Sequence, residues 1–180
     1  MSPPAIGLAS NGEGEFAGYH DGITMKLAKS SRHSKITGDF GESIVLYLLS
    51  RHGFECARVD HTGIDLIARR PNSREVLGVS VKSRSRQAGT ENTHLALPHE
   101  GFVKAKAACD AFHCTPYFAL VIDAGERIRV FLLSLRHLQK LFPGGRKVSA
   151  WQMSDSFLRK YYADPQINIF EFSAHAQKWF

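Results

Sequence analysis

The sequence predicts an α/β fold: a central mixed β-sheet flanked by helices, in the order α-β-β-β-α-β-β. Three observations carry that prediction. A helical apolar stripe runs through GDFGESIVLYLLSRH, two strand-like apolar runs flank the turn Pro71-Asn72-Ser73-Arg74, and a second helical stripe is followed by two further strands.

Residues 1–34 are rich in Gly, Ser, Lys and Arg and show no sustained period, which predicts a loosely ordered basic leader. Thr37 is the expected N-cap of the first helix, and Gly53 its stop. A short strand over 54–59 and the turn Asp60-His61-Thr62-Gly63 come next, then an antiparallel hairpin around residues 71–74. Gln87 to Pro98 reads as a polar connection. In HEGFVKAKAACDAFH, Phe102, Ala105, Cys109 and Phe112 have the spacing of a core-facing helical stripe. Strands over 117–123 and 127–133 turn at Ala124-Gly125-Glu126. Pro143-Gly144-Gly145 breaks the pattern before a helical stretch at 154–162 and an apolar piece at 167–172. The expected organisation is a leader (1–34), a core (35–142) and a C-terminal extension (143–180) that packs on the core or on a partner subunit.

At 180 residues and 43% hydrophobic, the chain suits one globular domain. No apolar run approaches the roughly 20 residues that cross a bilayer. The N-terminus lacks the basic start and apolar stretch of a signal peptide, so the cytoplasm is the expected compartment. Three cysteines, Cys56, Cys109 and Cys114, cannot all pair and read as small hydrophobes. Net charge is +6, with basic groups concentrated in 26–35, 69–74 and 82–86. Such clusters suit a polyanion, because phosphate contacts release counterions; a merely solvated face would carry the same charge.

The hairpin places unusual groups together. A turn centred on Asn72-Ser73 sets Ala68 opposite Leu77, Ile67 opposite Gly78 and Asp65 opposite Ser80, with Lys82 on the diagonal. Alternation then puts Asp65, Ile67, Ser80 and Lys82 on one face and Ile64, Leu66, Leu77, Val79 and Val81 on the other. Opposed Cβ atoms lie about 5 Å apart and diagonal ones roughly 7 Å, within reach of one ion or substrate group. In the first helix, Glu42 shares a stripe with Val45, Leu46 and Leu49, so its carboxylate should face the sheet, where a lysine or a metal ion is its natural partner. Alternatively it is a first-turn acid favoured by the helix dipole, worth about 0.3–1 kcal/mol.

Taken together, GDFGE (38–42), GIDLIA (63–68) and LGVSVKSRSR (77–86) resemble the PD-(D/E)XK nuclease superfamily, in particular its Holliday-junction-resolvase-like and restriction-endonuclease-like branches. The resemblance spans about residues 36–133. It implies a restriction-endonuclease-like core and a Mg²⁺- or Mn²⁺-dependent endonuclease that hydrolyses DNA phosphodiesters, with Glu42, Asp65, Ser80 and Lys82 in the catalytic positions. Asp65, Glu42 and the Val81 carbonyl would hold the metal, and Lys82 would orient or help deprotonate the attacking water. One position departs from the family pattern: Ser80 stands where Glu or Gln is usual, and a hydroxyl attracts a hard cation far less than a carboxylate does. Weaker metal binding, a preference for Mn²⁺, recruitment of Asp60 or Glu75, or loss of catalysis would follow. Glu75 has the wrong strand parity, which favours Asp60. His61 in the turn, Arg84 and Arg86 on the parity of Lys82, and Arg69 are the expected nucleic-acid contacts. His94 with His99, or Cys109 with His113 and Cys114, lack the paired spacing of a zinc site, and Glu100 reads as a helix-start acid. The alternative function is an inactive nuclease-fold module that binds nucleic acid or protein. A homodimer is compatible with either.

Overall fold

The computed structural model describes residues 29–87, 89–143 and 147–174. Most of the expected leader and the Gly144-Gly145 part of the expected break lie outside them. In chain order the elements are α1 (His33–Arg51), β1 (Glu55–His61), β2 (Ile64–Arg69), β3 (Val76–Ser85), β4 (Leu95–Pro98), α2 (His99–Phe112), β5 (Thr115–Ala124), β6 (Arg127–Ser134), α3 (Leu135–Leu141), β7 (Val148–Trp151), α4 (Asp155–Ala163) and β8 (Asn168–Ser173).

The hairpin has the predicted register. Asn72 takes φ 53° in the turn, the Arg70 N–H closes it on the Glu75 carbonyl at 3.0 Å, and Ala68 pairs with Leu77 and Ile67 with Gly78. The main sheet runs β1-β2-β3-β5-β6-β8. All its neighbours are antiparallel except β3 and β5, and α2 lies in the crossover that a parallel pair requires. The predicted mixed sheet is thus present, and β8 extends it by pairing with β6.

Two apolar layers cover the sheet. On one face Val45, Leu48 and Leu49 of α1 pack on Leu66, Leu77, Val79, Val81, Val121 and Val130, with Phe170 and Phe172 of β8 at the margin. On the other, Phe102 and Ala105 of α2, Leu138 of α3 and Tyr161 of α4 pack on Phe118, Leu120, Phe131 and Leu133. Leu120 is fully buried, so Leu120→Ala should cost about 2–5 kcal/mol. Gly63 joins the layers tightly: it sits at φ +111°, and a Cβ there would strike the Lys104 carbonyl of α2.

Several expectations are corrected. α1 starts at His33, and Thr37 is an interior residue whose hydroxyl donates to the His33 carbonyl at 2.8 Å, so it caps nothing. Glu42 consequently lies well past the first turn, and the helix-dipole explanation for it fails. β1 continues to His61 through a bulge after Arg58. The polar connection contains β4, which forms a second, two-stranded sheet with β7. Phe112 is exposed, and Ala108 takes its place among the buried residues of α2. Ile64 packs with Ala108 and Cys109 on the α2 side rather than sharing the face of Leu66. The β alternation breaks between them at Asp65.

Candidate active site

That break coincides with the end of the β2–β3 ladder. The last pair is Leu66 with Val79, so the expected pairing of Asp65 with Ser80 does not form; beyond it, the Val81 N–H donates to Asp65 Oδ2 at 2.6 Å. A carboxylate thus replaces the carbonyl that a continued ladder would have offered, and its orientation is fixed by main chain rather than by a mobile side chain. Asp65 Oδ1 has no hydrogen-bond donor among the described residues.

Ser80 and Lys82 project together from β3. Lys82 Nζ donates to Ser80 Oγ at 2.9 Å and to the Val81 carbonyl at 3.1 Å. Ser80 is only 1% exposed, so its hydroxyl is a buried rest for the amine. Lys82 forms no ion pair with Asp65 or Glu42 among the described residues. The acid and the amine are instead held on the main-chain N–H and C=O of one residue, Val81.

Glu42 reaches the site from α1. Burial, then the charge of Asp65, raise its carboxyl above the ordinary carboxylate range, with Asp39 adding and Arg58 and Lys35 opposing. Its neighbour Ser43 accepts from Arg58 Nη2 of β1 at 2.5 Å, which brings a guanidinium beside the acidic pair. α1 approaches β3 this closely because residue 41 is glycine: a Cβ there would overlap Ser83 Oγ.

On the α2 side of Lys82 a cleft of ≈ 370 Å³ opens, lined among others by Arg84, Leu97, Glu100, Lys104 and Phe118. Arg84 is exposed at its edge, whereas Glu100 is paired with Lys104 at 2.5 Å, as suits a helix-start acid.

The other expected contacts are placed less favourably. Arg86 Nη2 donates to the Thr93 and His94 carbonyls at 3.0 and 2.7 Å, so this guanidinium braces the loop before β4 instead of facing outward. His61 sets its ring edge-on against Phe112 at 5.1 Å. Arg69 lies four residues along β2 from Asp65, about 13 Å away, in an open hollow with Arg70, Ser73 and Arg74. Glu75 is bound to Arg70 at 2.7 Å at that same far end and is ruled out as a substitute acid. Asp60 is exposed in the bulge and has no hydrogen bond or ion pair among the described residues.

Sequence reasoning missed Arg58 and Lys104. Pairing β1 against β2 would have revealed the first, since Arg58 stands opposite Leu66, next to Asp65. Lys104 is brought in by the contact of Gly63 with α2, for which no local pattern exists.

Among the described residues no three His, Cys, Asp or Glu side chains gather as a metal cluster. What is gathered is two carboxylates that repel one another, one of which keeps an oxygen free of hydrogen-bond donors, and a main-chain carbonyl. This oxygen donor set fits a hard divalent cation, which would relieve the repulsion, although it is one acid short of a strong site.

Comparison with known proteins gives likenesses among solved structures only. No protein-family model matches the chain, and no curated protein matches it. Among solved structures, the chain is similar to Hjc, a Holliday junction resolvase from the archaeal hyperthermophile Archaeoglobus fulgidus. Sequence identity is 19% and the TM-score 0.49, over 68% of this chain and 88% of that one.

Proposed function

We propose that this protein is a metal-dependent endonuclease that hydrolyses DNA phosphodiester bonds. The observation that carries the proposal is the fixing of the Asp65 carboxylate on the Val81 N–H, with Lys82 next in the chain and Glu42 close enough to perturb. Asp65, Glu42 and the Val81 carbonyl would hold Mg²⁺ or Mn²⁺, which when bound supplies charge stabilisation at the phosphate. Lys82 orients the attacking water and is held in place by Ser80 and Val81 until substrate arrives. Arg84 and Arg58 offer cations for the flanking backbone, and their phosphate contacts position the DNA without reading its sequence.

The test uses branched, linear and single-stranded DNA with Mg²⁺ or Mn²⁺. Asp65→Ala should lower cleavage by about 10²-fold or more; undiminished cutting by that variant refutes the assignment.

A second reading is favoured by Ser80. Its buried hydroxyl stands where Glu or Gln is usual in the family it resembles, and it is occupied by Lys82. On this reading the chain keeps the fold and binds nucleic acid or protein without cutting. Ser80→Glu would then confer Mn²⁺-dependent cleavage absent from the wild type, whereas wild-type cutting ends this reading.

A further inference from the structure

The end of α2 brings two thiols together in a way the candidate site does not use. His113 adopts the left-handed conformation (φ 52°, ψ 45°), and the Cys114 N–H donates to the Cys109 carbonyl at 2.9 Å. This six-to-one bond closes a Schellman motif, whose geometry presses the side chains four residues before and one residue after the left-handed position against each other. Those positions are normally apolar; here both are cysteine. The two sulfurs lie at 2.5 and 2.6 Å from the single point where a Cβ on Gly78 would sit, so they share the space that this glycine leaves open under β3. Cys109 Sγ donates to the Gly78 carbonyl at 3.7 Å, and both thiols are reduced. Cys56, on β1, belongs to the cluster on the opposite face of the sheet.

We infer that Cys109 and Cys114 form a dithiol that closes to an intrachain disulfide when the protein meets a small-molecule disulfide such as oxidised glutathione. The partly exposed Cys114 reacts first. Its thiolate attacks one sulfur of glutathione disulfide, forming a mixed disulfide and expelling one glutathione thiolate. Cys109, giving up its proton, then attacks the Cys114 sulfur and displaces the second glutathione. Two protein thiols are oxidised and one glutathione disulfide is reduced to two glutathiones, so atoms and electrons balance. Burial, followed by the Cys114 neighbour, pushes the Cys109 thiol up to about 12, which makes this second step the slow one. The bond would form beneath Gly78, two residues before Ser80, and tie the end of α2 to the start of β5.

The native chain is incubated with oxidised glutathione, alkylated and digested after Lys and Arg. Cys109 and Cys114 then fall on one peptide, residues 107–127, which should lose the mass of two hydrogens and both alkylation sites, while Cys56 stays alkylated. Cys56→Ser should behave as wild type, and Cys114→Ala should abolish the loss. A lasting glutathione adduct on Cys114, a bridge to Cys56, or ring closure only after unfolding would overturn the inference. If Cys114→Ala fails to fold, the Cys56→Ser protein decides the question alone.

Discussion

Gly41 sets the distance between Glu42 and Asp65, and replacing it tests that dependence. An alanine in a helix interior normally gains about 1 kcal/mol over glycine. Gly38, one turn earlier in α1, has nothing within 4 Å of an added Cβ, so Gly38→Ala should show that gain. At Gly41 the added Cβ would overlap Ser83 Oγ and lie 2.9 Å from Ser83 Cβ. The hydroxyl sits in a buried position without a hydrogen-bond partner, and α1 must move outward to relieve the overlap. Overpacking of this kind costs about 1–3 kcal/mol. With the overlap this deep, the upper end applies, and after subtracting the propensity gain Gly41→Ala should destabilise by about 2 kcal/mol. In urea, at a slope of about 2 kcal/mol/M, the midpoint should fall by about 1 M. Ser83→Ala removes an unpartnered hydroxyl and should be near neutral. The double variant should recover most of the loss, giving a coupling of about 1–2 kcal/mol. Because the same displacement carries Glu42 away from Asp65, Mn²⁺ affinity measured by calorimetry should fall in Gly41→Ala and return in the double variant. Stabilisation by Gly41→Ala equal to that of Gly38→Ala would refute the close-approach argument.

The remaining predictions concern two polar supports of the fold. Burial alone would raise the Asp164 carboxyl, but the Gln166 N–H and the His137 ring, at 2.7 Å, hold it below its ordinary value. Its folded pKa being the lower one, Asp164 stabilises fully above the unfolded value near about 4 and loses that contribution as pH falls through the folded value. Urea midpoints taken across this acid range should show a steeper decline for wild type than for Asp164→Asn. Arg86→Met should cost about 1 kcal/mol by removing the two carbonyl contacts of the loop before β4. Hydrogen exchange should then accelerate at His94 and Leu95 while the β5 amides keep their protection.

The fold was legible wherever one local rule dominated. The Asn72 turn fixed the hairpin register as far as Leu66 with Val79, because pairing in a hairpin propagates from its turn, but the bond from the Val81 N–H to Asp65 lies past the end of that ladder and was not foreseen. The start of α1 was misread because Thr37 has the chemistry of a cap yet satisfies its hydroxyl within the helix. β4 and β7 were hidden because each strand is four residues long and finds its partner far along the chain. The face of Ile64 was misassigned because strict alternation cannot anticipate a side chain that substitutes for a backbone acceptor. Of the expected nucleic-acid contacts, Arg86 and Arg69 illustrate a general blindness: parity tells which side a residue leaves the strand, but not that a carbonyl pair waits there or that the strand has carried it beyond reach.

β3 is bordered on both flanks only as far as Val79; from there to Ser85, β5 is its lone neighbour in the sheet. A strand interior would have spent every peptide group on the ladder, leaving side chains as the sole chemistry it could offer. By parting company with β2 at that point, the chain hands the main-chain groups of Val81 to the side chains of Asp65 and Lys82, so that an acid and an amine are both anchored on backbone as rigid as the sheet that carries it.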